Sequence, residues 1–238
     1  SFDAFRTTIA DEDGEWLVKG FIDLYRRVYT IAVDTKVVSK IIELMLFPAI
    51  ASAADELGYD IVLSEYQNHY PDISLVAADG TKLALDLKST YRVSEASVNG
   101  FTLGAFTGYF GDRSSQKNIT FPYDEYAAHL VLGVIYSRVD DVPDETKSYS
   151  VDDLEDIVSV TRDFEFVVQE KWRVASDHPG SGNTKNIGCV KSIDDLANGK
   201  GPFASLGPHV FDHYWQNYLT RDMAERIESA VPYANVAE

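Results

Sequence analysis

The chain has a single cysteine, Cys189, which excludes an intrachain disulfide and any cysteine-based metal cluster. No uninterrupted apolar run approaches the roughly 18 residues that a membrane helix needs. The opening residues, SFDAFRTTIADEDGEW, lack the basic-then-apolar layout of a secretory leader. The expectation is a cytoplasmic protein with no membrane partner. Positive charge is also scarce: 21 Lys+Arg stand against 38 Asp+Glu, giving a net charge of −17 and a pI near 4.6. Such a balance argues against nucleic-acid binding, with two exceptions. A locally positive cleft can sit on an acidic body, or the protein can be adapted to concentrated salt, which screens repulsion from DNA.

What is present suits a globular protein. Hydrophobic residues make up 45% of 238 positions, enough for a substantial core. No repeat, low-complexity tract or linker divides the chain, so residues 1–238 are expected to form a single domain.

The stretch 66–88, YQNHYPDISLVAADGTKLALDLK, is the most informative. Two strand-like runs flank Asp79-Gly80, a strong hairpin signal because Gly takes positive φ without steric penalty. A three-residue loop from Ala78 to Gly80 sets Asp72 opposite Asp86, and the period of two puts Lys88 on the same face. A two-residue loop would shift the register and separate them. Two carboxylates and an ammonium at one hairpin end can hold a Mg²⁺ ion and orient a water for phosphodiester hydrolysis. The spacing matches the PD…(D/E)xK pattern of metal-dependent nucleases. A solvated hairpin carries the same residue types.

Around this hairpin the elements follow from pattern. Asp34 reads as the N-cap of a helix whose apolar positions run from Val37 to Ile50, with Gly58 as its stop and Pro48 as a kink or break. Within it, Glu43 reads as an exposed-face glutamate. Residues 59–64 form a short strand, 121–128 a helix, 130–139 a buried central strand and 164–175 another long strand. A final helix over 211–227 carries Phe211, Tyr214, Trp215 and Tyr218 as a core-packing stripe. Phe21, Ile22, Leu24, Tyr25 and Val28 form an amphipathic stretch that either packs on the core or supplies a subunit contact.

Several polar stretches remain open between function and plain solvation. Gln67 and Asn68 precede the hairpin, and their amides present both donors and acceptors, as base edges do. Arg113 and Lys117 are either phosphate contacts or solvated cations. The segment 178–186, HPGSGNTKN, fails the spacing of a phosphate-binding loop and reads as a base-recognition loop or a flexible turn. His209 and His213 have helical i, i+4 spacing but no third ligand, and read as structural.

Taken in order, the segments Asp34-Thr35-Lys36-Val37, Ile42-Glu43-Leu44, Gln67 to Asp72, Asp86 to Tyr91, Phe101 to Gly104 and Lys117-Asn118-Ile119 carry a resemblance. Arg138-Val139, Lys171-Trp172, Gly180 to Thr184 and Asn186-Ile187-Gly188 complete the series. The chain resembles the EcoRV family of type II restriction endonucleases, from about Asp34 to Gly201.

The resemblance implies an α/β restriction-endonuclease-like fold, a mixed central β-sheet flanked by helices, acting as a homodimer on double-stranded DNA. Residues 1–33 would contribute to dimerisation, 34–201 would form the catalytic and recognition core, and 202–238 a C-terminal helical segment. It implies Asp72, Asp86, Lys88 and Glu43 as the catalytic set, with Asp72, Asp86 and Glu43 at Mg²⁺ and Mn²⁺ as a substitute. Gln67, Asn68, Thr90 and Lys117 would touch DNA, together with Gly180, Ser181, Gly182, Asn183, Thr184, Lys185 and Asn186. The implied reaction is cleavage within GATATC to blunt ends with 5′-phosphates, in a cell whose methyltransferase protects its own DNA. Tyr66 stands where the family has a glutamine and Lys185 where it has a threonine. A same-fold nuclease with another target or a repair role, and a catalytically silent DNA-binding or DNA-bending module, are the alternatives.

Overall fold

The computed structural model describes residues 2–31, 34–66, 68–139, 146–180, 185–220 and 223. Helix α1 (Asp3–Ile9) leads to the hairpin β1 (Gly20–Ile22) and β2 (Arg27–Thr30). The long helix α2 (Thr35–Glu56) precedes β3 (Tyr59–Leu63), β4 (Ile73–Ala77) and β5 (Lys82–Ser94). Then come β6 (Ser97–Val98), β7 (Thr102–Ala105), β8 (Tyr126–Arg138), β9 (Ser148–Ser150) and β10 (Thr161–Glu170). A short helix α3 (Lys171–Val174), strands β11 (Ala175–Pro179) and β12 (Asn186–Cys189), and helices α4 (Ile193–Asn198) and α5 (Pro208–Gln216) complete the order.

The main sheet runs β10-β8-β5-β4-β3, with β6 paired to β5. It is mixed: β5 and β8 are parallel, while the other neighbours are antiparallel. The apolar run predicted as a central strand is β8, which has neighbours on both sides. Its residues alternate between two cores. Leu132, Val134 and Tyr136 join the layer under α2, and Val131 and Ile135 join an aromatic layer on the opposite face. Two smaller sheets, β1-β2-β9 and β11-β12-β7, flank it.

Helix α2 forms as the sequence dictates. The Asp34 carboxylate accepts from the backbone N–H groups of Lys36 and Val37, a cap worth about 1 kcal/mol. Val38, Ile42, Leu46, Ile50 and Ala54 make one buried stripe at i, i+4 spacing. By length and composition α2 could cross a membrane, but this stripe packs on the sheet, as a core helix does. Of the two effects expected of Pro48, the break does not occur: α2 is continuous through it. Pro48 has no N–H to offer the carbonyl of Leu44, which lies on an exposed turn where water can take its place.

Three further expectations change. Residues 121–128 form a single turn, Tyr123–Glu125, and then enter β8 instead of making a helix. The strand expected over 164–175 ends at Glu170, and the chain turns through α3. The final helix starts earlier and stops sooner than expected, running over Pro208–Gln216 with Asn217 as its C-cap and Phe211 and Trp215 buried; residues 221, 222 and 224–227 of the expected span lie outside the described residues. His209 and His213 are both exposed on it.

Candidate active site

The hairpin loop decides the geometry. Ala77 N–H donates to the Thr81 carbonyl, so Ala78, Asp79 and Gly80 form a three-residue loop with Gly80 at φ +86°. The Asp79 carboxylate accepts from Thr81 N–H and tightens it. The ladder then pairs Ile73 with Leu85, and the next step down places Asp72 opposite Asp86. Lys88 follows on the same face of β5.

The side chains meet as this register requires. Lys88 Nζ lies 2.7 Å from Asp86 Oδ2 and 3.8 Å from Asp72 Oδ2. The Leu87 backbone N–H donates to Asp72 Oδ2 at 2.7 Å, fixing that carboxylate against the start of the strand. Asp86 is buried, and the side chain of Lys88 is only 22% exposed. Burial, with the charge of Asp86 beside it, pushes the Asp72 carboxyl up to about 7. Burial alone would lower the Lys88 ammonium, but Asp86 and Asp72 outweigh it and hold its pKa above the ordinary lysine range. One cation therefore serves two carboxylates, and the pair remains short of positive charge.

Lys88 stands between two clefts. One, about 320 Å³, contains Asp72 and Asp86 and is walled by Tyr70, Tyr109, Asn68 and Asn186. The other, about 490 Å³, lies between β5 and the first turns of α2, and brings Lys36, Lys40 and Glu43 to Lys88. Lys40 is paired with Glu43 and Lys88 with Asp86, so the surplus positive charge of this groove rests on Lys36. The N-terminus of α2 opens into it, with the Lys36 and Val37 N–H groups already taken up by the Asp34 carboxylate.

The donor chemistry fits a hard divalent cation. Two adjacent carboxylates, one of them poorly ionised for want of countercharge, are what Mg²⁺ with retained waters would satisfy. Glu43 does not join them. It pairs with Lys40 at 2.6 Å in the neighbouring cleft, and among the described residues no three acidic, histidine or cysteine side chains converge.

The expected DNA contacts divide. Asn68 and Asn186 line the carboxylate cleft, and exposed Lys117 adjoins its lining residue Asn118. Thr90 lines the α2 cleft but is buried, and its hydroxyl donates to the Gly100 carbonyl while accepting from the Gly100 N–H. It braces the wall. Gly180 is exposed, and its N–H donates to the Asn186 carbonyl; the Lys185 carbonyl accepts from Phe106 N–H. These two bonds tie down both ends of the glycine-rich loop. Gln67, Ser181, Gly182, Asn183 and Thr184 lie outside the described residues. Burial pushes the Cys189 thiol up to about 11, which disfavours the thiolate and suits a packing role; its sulfur accepts from Phe101 N–H.

Thr35, Ser39 and Lys40 of α2, and Tyr109 and Asn118, escaped the sequence reading as site residues. Only the polar spacing of Thr35, Ser39 and Glu43 along one helical line could have signalled part of this set. Ser39 and Ser89 hydroxyls meet at 2.6 Å and join that line to β5.

Comparison with known proteins gives the family. The family model described as restriction endonuclease EcoRV matches residues 12–238. The type II restriction enzyme EcoRV of Escherichia coli is 37% identical over 211 residues, covering 87% of this chain and 84% of that protein. The chain belongs to the EcoRV restriction endonuclease family.

Proposed function

We propose that this protein is a Mg²⁺-dependent type II restriction endonuclease that cuts both strands of a palindromic DNA site. GATATC, cut to blunt ends with 5′-phosphates, is the first candidate. The observation that carries the reading is the in-register meeting of Asp72, Asp86 and Lys88 beside a positive groove.

In this reading Asp72 and Asp86 hold the metal, and Glu43 serves a neighbouring position across Lys88. The bound cation would polarise the phosphate and lower the pKa of a water. The chain's own residues do the rest. Lys88 holds its ammonium where charge develops on the phosphate and orients the attacking water, while the Leu87 N–H keeps Asp72 in place. Lys36 and Lys40 attract the backbone of DNA, Asn68 and Asn186 face its bases, and the family resemblance gives the 180–186 segment the same task.

A palindrome suits a twofold homodimer. The hairpin β1–β2 supports one. Phe21, Ile22 and Leu24 are 54%, 60% and 90% exposed, and Tyr25 is exposed beside them. A cluster of large apolar side chains in water is the mark of a covered surface. The protein would work in the cytoplasm beside a methyltransferase that is not a stable partner. Its acidic surface favours activity in concentrated salt.

Tyr66, exposed and packed on His69 at 4.8 Å between ring centres, and Lys185 at the end of the recognition loop favour a second reading, the same chemistry at a different palindrome. Digesting plasmid DNA with Mg²⁺ across a salt series and sequencing the ends separates the two. Blunt ends within GATATC support the first; discrete cuts elsewhere keep the catalytic centre and move the specificity. Absence of cutting at every salt by folded protein would refute both.

A further inference from the structure

Lys171 is the least explained charge in the molecule. It is 1% exposed, and its Nζ has no hydrogen-bond partner. The acidic groups around it are committed elsewhere: Asp86 to Lys88 at 2.7 Å, Asp212 to Arg113 at 2.7 Å, and Glu170 to Arg173 at 3.0 Å. A lone buried ammonium is expensive to keep, and an apolar side chain of similar size would satisfy the packing better.

Its surroundings point to a use. The Nζ lies 4.7 Å from the ring centre of Tyr70, 5.3 Å from Tyr123 and 5.5 Å from Phe110, a cage of three aromatic faces. Tyr70 stacks on Tyr109, and both line the carboxylate cleft. Gly104 lines it too, at φ +87°, and a β-carbon placed there would stand 3.7 Å from the Lys171 Nζ and 2.9 Å from the Tyr109 hydroxyl. The ammonium is thus one backbone layer beneath the cleft that holds Asp72 and Asp86. Tyr70 also leads directly through Pro71 to Asp72. Its hydroxyl contacts His129 Nδ1 at 2.9 Å, and its N–H and carbonyl are bonded to Asn118 and Thr120.

Resting on the nuclease reading, we propose that Lys171 is a positioning residue for DNA cleavage: a caged ammonium that fixes the aromatic floor of the site and supplies a second positive charge beneath its carboxylates. It touches neither substrate nor metal. The preference of a desolvated ammonium for ring faces holds Tyr70 and, through it, the Tyr70-Pro71-Asp72 turn. Its charge acts across a dry layer, where screening is weak. Burial lowers the Lys171 ammonium to about 7 against the pull of Asp86, so the two carboxylates that Lys88 alone cannot neutralise gain this second counter-ion at and below that pH.

The test uses the full-length protein with Lys171→Met, which keeps length and removes charge. Three readings are taken at pH 6.5, where Lys171 carries its charge: thermal stability, affinity for a cognate duplex with Ca²⁺ in place of Mg²⁺, and single-turnover cleavage with Mg²⁺. The expected result is a stability equal to or above wild type and unchanged DNA affinity, with cleavage slowed about tenfold or more, the scale of losing one preorganised charge from a site. A merely structural lysine would not give that split. Cleavage within twofold of wild type, or a loss that only follows falling stability and affinity, would overturn the proposal. Should Lys171→Met fail to fold, Lys171→Gln is read by the same criteria. Wild-type protein that cuts no DNA would instead remove the nuclease reading, so the two failures are distinguishable.

Discussion

Two hairpins in this molecule break the usual division between inside and outside, in opposite directions. The β4–β5 hairpin turns Asp72, Asp86 and Lys88 away from bulk water. The β1–β2 hairpin presents Phe21, Ile22, Leu24 and Tyr25 to it. Each arrangement is unfavourable in an isolated chain: buried like charges repel, and exposed apolar surface orders water. The first is relieved by something positive, the second by another apolar surface. On the proposed function, a metal ion would relieve the first and a second copy of the protein the second.

The difference can be broken most sharply at Asp86. Asp86→Ala should abolish cleavage while the circular dichroism of the fold persists, because the sheet supports that position from both sides. Measurable turnover in a folded Asp86→Ala protein would count against the carboxylate pair as a metal site.

Asp72→Asn should show the stored repulsion directly. The folded pKa of Asp72 lies near 7, above the ordinary value of 3.8, so the native state holds this proton more tightly than the unfolded chain. Stability therefore falls as pH rises from about 4 to 7, and the penalty is complete above that window. Without metal, Asp72→Asn should be more stable than wild type by roughly 2–4 kcal/mol at pH 8 and equal to it below pH 4, from about 3 units at 1.36 kcal/mol each, less solvent screening. Chemical denaturation at the two pH values checks it; equal stability at pH 8 would show that no repulsion is stored there.

At the other hairpin, Ile22→Glu should shift sedimentation from dimer to monomer with little change in monomer stability, since the side chain already faces water. A variant that remains dimeric would place the interface elsewhere. The smallest effect concerns salt. Transfer from concentrated KCl to very low ionic strength should lower both stability and cleavage, through self-repulsion of a chain with net charge −17. Full retention at low salt, with loss in concentrated KCl, would end the halophilic reading.

How much was readable beforehand follows the range of the interactions. Asp79-Gly80 signalled the hairpin by local backbone preference but left its loop at two or three residues; with the three-residue loop, the register of Asp72, Asp86 and Lys88 followed from the period of a strand. Asp34 and the i, i+4 stripe specified α2 in the same local way. Residues 121–128 misled because Phe121, Tyr123 and Tyr126 carry apolar spacing compatible with a helix. Their state is decided by packing on His129 and Phe110 and by pairing with β5. The cage around Lys171 was invisible for the same reason, since Tyr70, Phe110, Tyr123 and Lys171 meet only in the folded chain. Glu43 was placed near the metals by resemblance, yet its local partner is Lys40, three residues away on its own helix.

The most direct test of the hydrolytic centre is Mn²⁺ binding by calorimetry, repeated in buffers of different ionisation enthalpy at pH 6 and pH 8.5. Because Asp72 is protonated below about 7, wild-type protein should release roughly one proton per ion at pH 6 and almost none at pH 8.5, and Asp72→Asn should lose both binding and release. Tight binding without proton release at pH 6, or binding that survives Asp72→Asn, would place the metal away from this hairpin and contradict the account.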